Sequence, residues 1–266
     1  STIEHLMASF VALGIDNAGM VINRYCGSGV EAIHLASAKI QAGMADCIIA
    51  GGAESMSLVP VMGWKTALNY RIAKEHPDYY TSMGLTAEQI ARQYKVSRED
   101  QDKFAFDSHM KAIEAQKAGK FKEEIHPIST EEVYVDDTGK KKSRSMVVDT
   151  DEGPRPETSM DALAKLKPVF AVGGSVTAGN SSPTNDGAAF AVVMSEKMIK
   201  QLNIKPIARM ISYAVAGVDP RIMGIGPVAA VPKALQRAGL KLKDIDLIEL
   251  NEAFASQALA VLRHLG

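Results

Sequence analysis

The stretch Asn23-Arg24-Tyr25-Cys26-Gly27-Ser28-Gly29, "NRYCGSG", places one of the chain's two cysteines between an aromatic residue and a Gly-x-Gly, directly ahead of an apolar helical pattern. Local physics leaves two readings of Cys26 open. A buried Cys is a small apolar residue and needs no further reason. A thiol at a helix start instead meets unpaired N–H groups and the positive end of the macrodipole, which favour a nucleophilic thiolate. Gly27 and Gly29 would then let backbone N–H groups approach an oxyanion without obstruction.

Working outward, Met20-Val21-Ile22 leads into the cysteine, and the spacing predicts a helix from about Gly29 to Ala42. Its apolar residues occupy more than one face, which predicts an interior helix packed through Ala32, Ala36 and Ala38. The run Cys47-Ile48-Ile49-Ala50-Gly51-Gly52 reads as a buried parallel strand, with Cys47 structural. Strand, helix, strand at this spacing is an α/β pattern. From about Glu54 to Gly179 the chain is more polar and reads as an insertion. Thr86 and Gln89 form a capping-box start, and Ser97 to Asp100 start a helix over about Arg98 to Ala118 that stops at Gly119. Val133 to Val135 and Met146 to Val148 flank "DDTGKKKSRS", a hairpin whose basic tip (Lys140, Lys141, Lys142, Arg144) reads as solvated. The core pattern resumes with a buried strand over Ala188 to Met194, and Ala208 to Val215 is compatible with another. A helix follows Gly226-Pro227 to near Gly239, then a strand over Asp246 to Leu250 and a last helix from about Asn251-Glu252.

The 266 residues carry a net charge of -1, so no global field draws the protein to nucleic acid or to an anionic membrane. No apolar run reaches the roughly 18 residues that a membrane span needs. Two cysteines cannot make a disulfide framework, which predicts a reducing, cytoplasmic setting. Ser1 does not read as a native start. No His/Cys spacing predicts a metal site. His34 lies about 12 Å beyond Cys26 along the helix, too far to act as its base. His5, His109, His126 and His264 read as surface residues, and His76-Pro77 as a turn.

Two further segments read as candidates. In "ELNEAFAS", Glu249 to Ser256, Asn251 follows a predicted strand and sits where α/β sheets bind ligands, or else is a helix N-cap. In "TAGNSSPTNDGAA", Thr177 to Ala189, small residues suit a loop hugging a narrow ligand or a plain turn.

Together these segments resemble the thiolase family. "VINRYCGSG" is similar to its nucleophile segment, "AGGAESMS" to the strand and turn that follow, and "SMGLTAEQIA" to the start of its loop domain. "DEGPRPET" and "TAGNSSPTNDGAA" resemble its CoA-facing segments, and "LNEAFA" its C-terminal motif. The similarity runs from about Met20 to Gly266 in the family's order. It implies a layered αβαβα thiolase fold of two similar α/β halves with an inserted loop domain. The N-terminal half would span residues 1–57 and 185–205, the CoA-binding insertion 58–184, and the C-terminal half 206–266.

The implied chemistry is thiolysis of a 3-ketoacyl-CoA, closest to the degradative enzymes of fatty-acid β-oxidation. Cys26 would attack the keto carbon and Asn251 would hold a water of the oxyanion hole. Arg155 would meet the adenine end of CoA, Ser182 the pantetheine arm, and Met83 and Phe254 would line the acyl pocket, with Ala178 a further substrate- or CoA-binding residue. CoA is then a substrate, with no metal and no redox cofactor, and a homodimer or homotetramer is implied. The family's Gly-His-Pro and Cys-x-Gly segments do not occur in the sequence. The 266 residues alone are therefore expected to be inactive, and to associate through bare sheet edges. A biosynthetic acetoacetyl-CoA enzyme and a non-catalytic acyl-CoA or lipid binder remain the alternatives. Ser82, where biosynthetic relatives tend to carry His, leans against the former, and retention of Cys26 against the latter.

Overall fold

The computed structural model describes residues 13–60 and 63–266, so His5 lies outside the described residues. In chain order the elements are α1 (Ser28–Gln41), β1 (Cys47–Ser55), α2 (Tyr70–Glu75), α3 (Met83–Gln93), α4 (Arg98–Lys117), β2 (Ile128–Val135), β3 (Lys141–Val148), α5 (Met160–Ala164), β4 (Asp186–Met194), α6 (Glu196–Leu202), α7 (Gly226–Ala238) and α8 (Ala255–Leu265). The chain divides into two units. One comprises residues 1–67, 184–214 and 234–240, and the other 68–183, 215–233 and 241–266.

In the first unit α1 packs on a two-stranded sheet, β1 with β4. The strands run antiparallel, in register from Cys47 opposite Met194 to Ser55 opposite Asp186, which corrects the expected parallel strand. Side chains clasp both ends of this ladder. Ser57 N–H donates to Asp186 Oδ1 at 2.9 Å, and Ser195 Oγ donates to Asp46 Oδ1 at 2.8 Å. The helix covers one face only. Ala50 is buried and Ile48 half-buried, whereas Cys47 and Ile49 alternate to the open side. Cys47 is thus exposed, not a core residue, and β4 is exposed along most of its length. For the same reason α1 is half-buried all round, with Ala36 alone fully buried, rather than interior. Residues 18–24 and 208–215 form no strand.

The second unit has its core at Ile90, Val96 and Ala260, joined by Tyr94, Ile222, Ile225 and Leu259. Helix α3 begins at Met83, with Ser82 as N-cap; Thr86 lies inside it and its hydroxyl donates to Met83 C=O. The capping-box reading of Thr86 is therefore wrong. A Ser or Thr bonding back within a helix mimics a cap in sequence. Helix α4 behaves as expected, with the Ser97 side chain accepting from Asp100 N–H and Gly119 closing it at φ +68°. The hairpin β2–β3 also forms where expected. No strand forms over 246–250, and α8 starts at Ala255 rather than Asn251. Among the described residues, no helix is long and apolar enough to cross a membrane.

A polar lattice sits inside this unit. Glu88 of α3 is buried and accepts from the backbone N–H of Ser175 at 2.9 Å and of Val176 at 2.9 Å. Gln101 Nε2 donates to Ser175 Oγ at 3.0 Å. Asp102 accepts from Arg98 Nε at 2.7 Å and from Asn180 Nδ2 at 3.0 Å, and Asn180 Oδ1 accepts from Thr177 N–H at 2.8 Å. Residues 175–180 are thereby held on helices far away in sequence. Glu88→Ala leaves two interior N–H groups unpaired and should cost about 3 kcal/mol of stability, read as a shift of the urea midpoint. A loss below about 1 kcal/mol would show that the lattice is not needed.

Candidate active site

Cys26 occupies a 3-10 turn, Tyr25–Gly27, that feeds directly into α1, and it is exposed. Of its two readings, the buried structural one is overturned. The N–H of Ser28, the first residue of α1, is taken by Tyr25 C=O, and the helix dipole favours negative charge at that end. The unusual backbone is at Tyr25, with φ +47°, not at a glycine. A left-handed non-glycine residue costs roughly 1–2 kcal/mol. Gly27, at φ −91° and ψ 1°, does not use its extra freedom. A side chain added at Gly29 would meet no protein atom within 4 Å, so the space beside this turn is open.

The turn is tied by short bonds. Tyr25 N–H donates to Asn23 Oδ1 at 2.8 Å and Gly27 N–H to Arg24 C=O at 3.0 Å. Ser28 Oγ accepts from Arg24 N–H at 2.8 Å and donates to Tyr25 C=O at 2.7 Å. His34 stacks on Tyr213, with ring centroids 4.1 Å apart.

The other expected site residues, Met83, Arg155, Ala178, Ser182, Asn251 and Phe254, all belong to the second unit. There the two loop segments are stitched together. Ser182 N–H donates to Ala253 C=O at 2.9 Å, and Ser181 forms a lone antiparallel bridge with Phe254. Ala178 lies in the 3-10 turn Ala178–Asn180, which is anchored by the Asn180 bonds. Asn251 is exposed coil four residues before α8, whose N-cap is Phe254; Asn251 is therefore neither a cap nor a strand end. Its neighbour Glu252 accepts from Ser108 Oγ at 2.5 Å. Ser256 Oγ, one residue into α8, donates to Ala87 C=O at 3.1 Å.

Sequence reasoning missed several supports. Phe170 meets Phe254 edge-on at 6.0 Å. It lies so close to Gly84 that a Cβ there would come 2.2 Å from its ring, so the glycine beside Met83 is required by the approach. His109, read as an ordinary surface residue, accepts from Arg155 N–H through Nδ1 at 3.2 Å. Consecutive residues of α4, Ser108 and His109, thus hold the Glu252 and Arg155 segments. Nothing local in the sequence marked Gly84, Phe170 or the bond made by His109.

Set beside known proteins, residues 3–197 match the thiolase N-terminal domain and residues 204–266 the thiolase C-terminal domain. The chain belongs to the thiolase family. It is 51% identical to a 3-ketoacyl-CoA thiolase of Bacillus subtilis, over 93% of this chain and 63% of the relative. It is 48% identical to an acetyl-CoA acetyltransferase of Pseudomonas aeruginosa, over 93% of this chain and 64% of the relative. The chain therefore spans somewhat less than two thirds of these relatives. The crystal structure of the Bacillus anthracis acetyl-CoA acetyltransferase matches at TM-score 0.83 and 38% identity, over 100% of this chain and 69% of that one. The dimeric peroxisomal thiolase of Saccharomyces cerevisiae matches at TM-score 0.87 and 36% identity, over 98% of this chain and 65% of that one. The α/β thiolase fold expected from the sequence is the fold of this chain.

Burial, and then the Arg155 charge, hold the His109 imidazole below its usual 6.5. A folded-state value below the unfolded one means that the Arg155 bond contributes fully above about pH 6.5 and is lost as pH falls through the lower value. Protonation removes the Nδ1 acceptor. Amide exchange at Arg155 should therefore accelerate, beyond the intrinsic trend, as the pH falls below about 6.5, and His109→Phe should abolish the dependence. A flat profile would contradict the role given to His109.

Proposed function

We propose that the protein acts as an acyl-CoA:acetyl-CoA C-acyltransferase that cleaves 3-ketoacyl-CoA by thiolysis. The observation that carries this reading is an exposed thiol, Cys26, on a strained turn at the mouth of α1. That turn lies inside the stretch that matches the thiolase N-terminal domain. In the first half-reaction the Cys26 sulfur adds to the keto carbon. The C2–C3 bond then breaks, its electron pair passing to C2, which is protonated as acetyl-CoA leaves. In the second, the CoA thiol attacks the acyl-Cys26 thioester and releases the shortened acyl-CoA, which gives ping-pong kinetics.

Asn251 holds the water that hydrogen-bonds the developing oxyanion. Arg155 takes the adenine end of CoA, Ser182 the pantetheine arm, and Met83 and Phe254 the acyl chain, with Ala178 a further CoA-binding residue. Residues 58–184 act as the CoA-binding insertion between the pieces of an N-terminal half, 1–57 and 185–205, with 206–266 in the C-terminal half. CoA serves as substrate, with no metal or redox cofactor, and the protein works in the cytoplasm as a homodimer or homotetramer. The B. subtilis relative's name, at 51% identity, and Ser82 support the degradative direction of β-oxidation. The names of the P. aeruginosa and B. anthracis relatives support the second reading, a biosynthetic acetoacetyl-CoA enzyme.

In the full-length protein Cys26→Ala should lower kcat for thiolysis by about 10,000-fold or more. Asn251→Ala should lower it by about 100- to 1,000-fold with KM little changed. Preference for a long 3-ketoacyl-CoA over acetoacetyl-CoA in kcat/KM favours the degradative reading, and the reverse favours the biosynthetic one. Full thiolysis by the Cys26→Ala protein would refute both. Binding of acyl-CoA without any acyl adduct on Cys26 would leave only a binder.

A further inference from the structure

Arg24 and Glu31 form an ion pair directly behind the cysteine turn, with Nε to Oε2 at 2.6 Å. Glu31 lies in the first turn of α1 and is mostly covered, its side chain 14% exposed. The same Oε2 accepts from the Tyr213 hydroxyl. Tyr213 is fixed in turn by His34, stacked on its ring, and by Arg237, whose Nη1 donates to the Tyr213 carbonyl at 2.5 Å. The Tyr213 hydroxyl, and then Arg24, hold the Glu31 carboxyl below the usual carboxylate range, so it is ionised when Arg24 needs it.

The turn itself has little else to hold it. Tyr25 adopts the left-handed conformation and is 87% exposed, so little packing of its side chain stabilises the strained backbone. The bonds from Asn23 and Ser28 are local and tie the turn only to its own flanks. Among the described residues, the Arg24–Glu31–Tyr213 chain is the connection that reaches a segment almost two hundred residues away. We propose that Arg24, through Glu31, is a positioning residue that fixes the direction of the Cys26 thiol for acyl transfer. This rests on the acyltransferase reading above.

The test measures acetyl transfer from acetyl-CoA to Cys26 in the full-length protein, read on the Cys26 peptide by mass spectrometry across acetyl-CoA concentrations. Transfer makes the Cys26 Sγ–acyl bond and breaks the CoA S–acyl bond, and the Cys26 proton ends on the CoA thiol. Arg24→Ala should lower the limiting rate about tenfold or more, with the half-saturating concentration unchanged. Arg24→Lys, which can keep the pair, should recover most of it. Combining Arg24→Ala with Glu31→Gln should be no slower than the slower single variant. A parental limiting rate in folded Arg24→Ala, a Lys variant no better than Ala, or a loss confined to half-saturation would overturn the proposal. If the parent protein itself gives no acetyl adduct, it is the acyltransferase reading that fails. Amide exchange then decides on the latch: several-fold faster exchange at Tyr25 and Gly27 in Arg24→Ala, but not in Arg24→Lys, upholds it, and equal exchange in all three overturns it.

Discussion

A buried carboxylate organises the second unit. Glu88 meets the backbone N–H groups of Ser175 and Val176 inside the protein, where each of those donors would otherwise be costly. Because the acceptor sits on α3, the segment after Val169 must pass that helix at one height and in one direction. Asp102, itself paired with Arg98, takes the Asn180 side-chain amide five residues further along. What emerges from this double anchor is Ser181-Ser182, paired with Ala253 and Phe254. The Ser181-Ser182 loop is thus placed by side chains of α3 and α4.

The cysteine turn follows a different logic. Its strain is local, its bonds are mostly local, and its long-range tether is a single surface-proximal ion pair backed by a tyrosine. Interior hydrogen bonds to a buried carboxylate rigidify, whereas a half-exposed pair adjusts with little cost.

Much of this was legible in the residues. "NRYCGSG" announced a turn into a helix, Ser97 and Gly119 bracketed α4, and the hairpin of β2 and β3 could be read from its alternation and its Gly-bearing tip. These signals are local, so sequence carries them. The misreadings share one cause. Burial of α1, β1 and β4 was inferred from apolar composition, but composition states only what a segment can bury, and burial depends on what covers it. Thus Cys47 and Phe190 lie exposed on the strands that the pattern had placed inside. The strand expected over 246–250 and the helix start at Asn251 failed because a few apolar residues beside a polar pair fit coil equally well. Glu88, His109 and Gly84 could not be found at all, since their partners lie between 46 and 88 residues away along the chain.

Hydrogen exchange of individual amides in the full-length protein tests the anchoring by Glu88 most directly. Ser175 and Val176 lie in a segment without regular secondary structure, yet their N–H groups should exchange as slowly as those in the middle of α4, because a buried side-chain acceptor holds them. Exchange at those two amides as fast as at the hairpin tip, residues 136–140, would show that the carboxylate does not fix the loop.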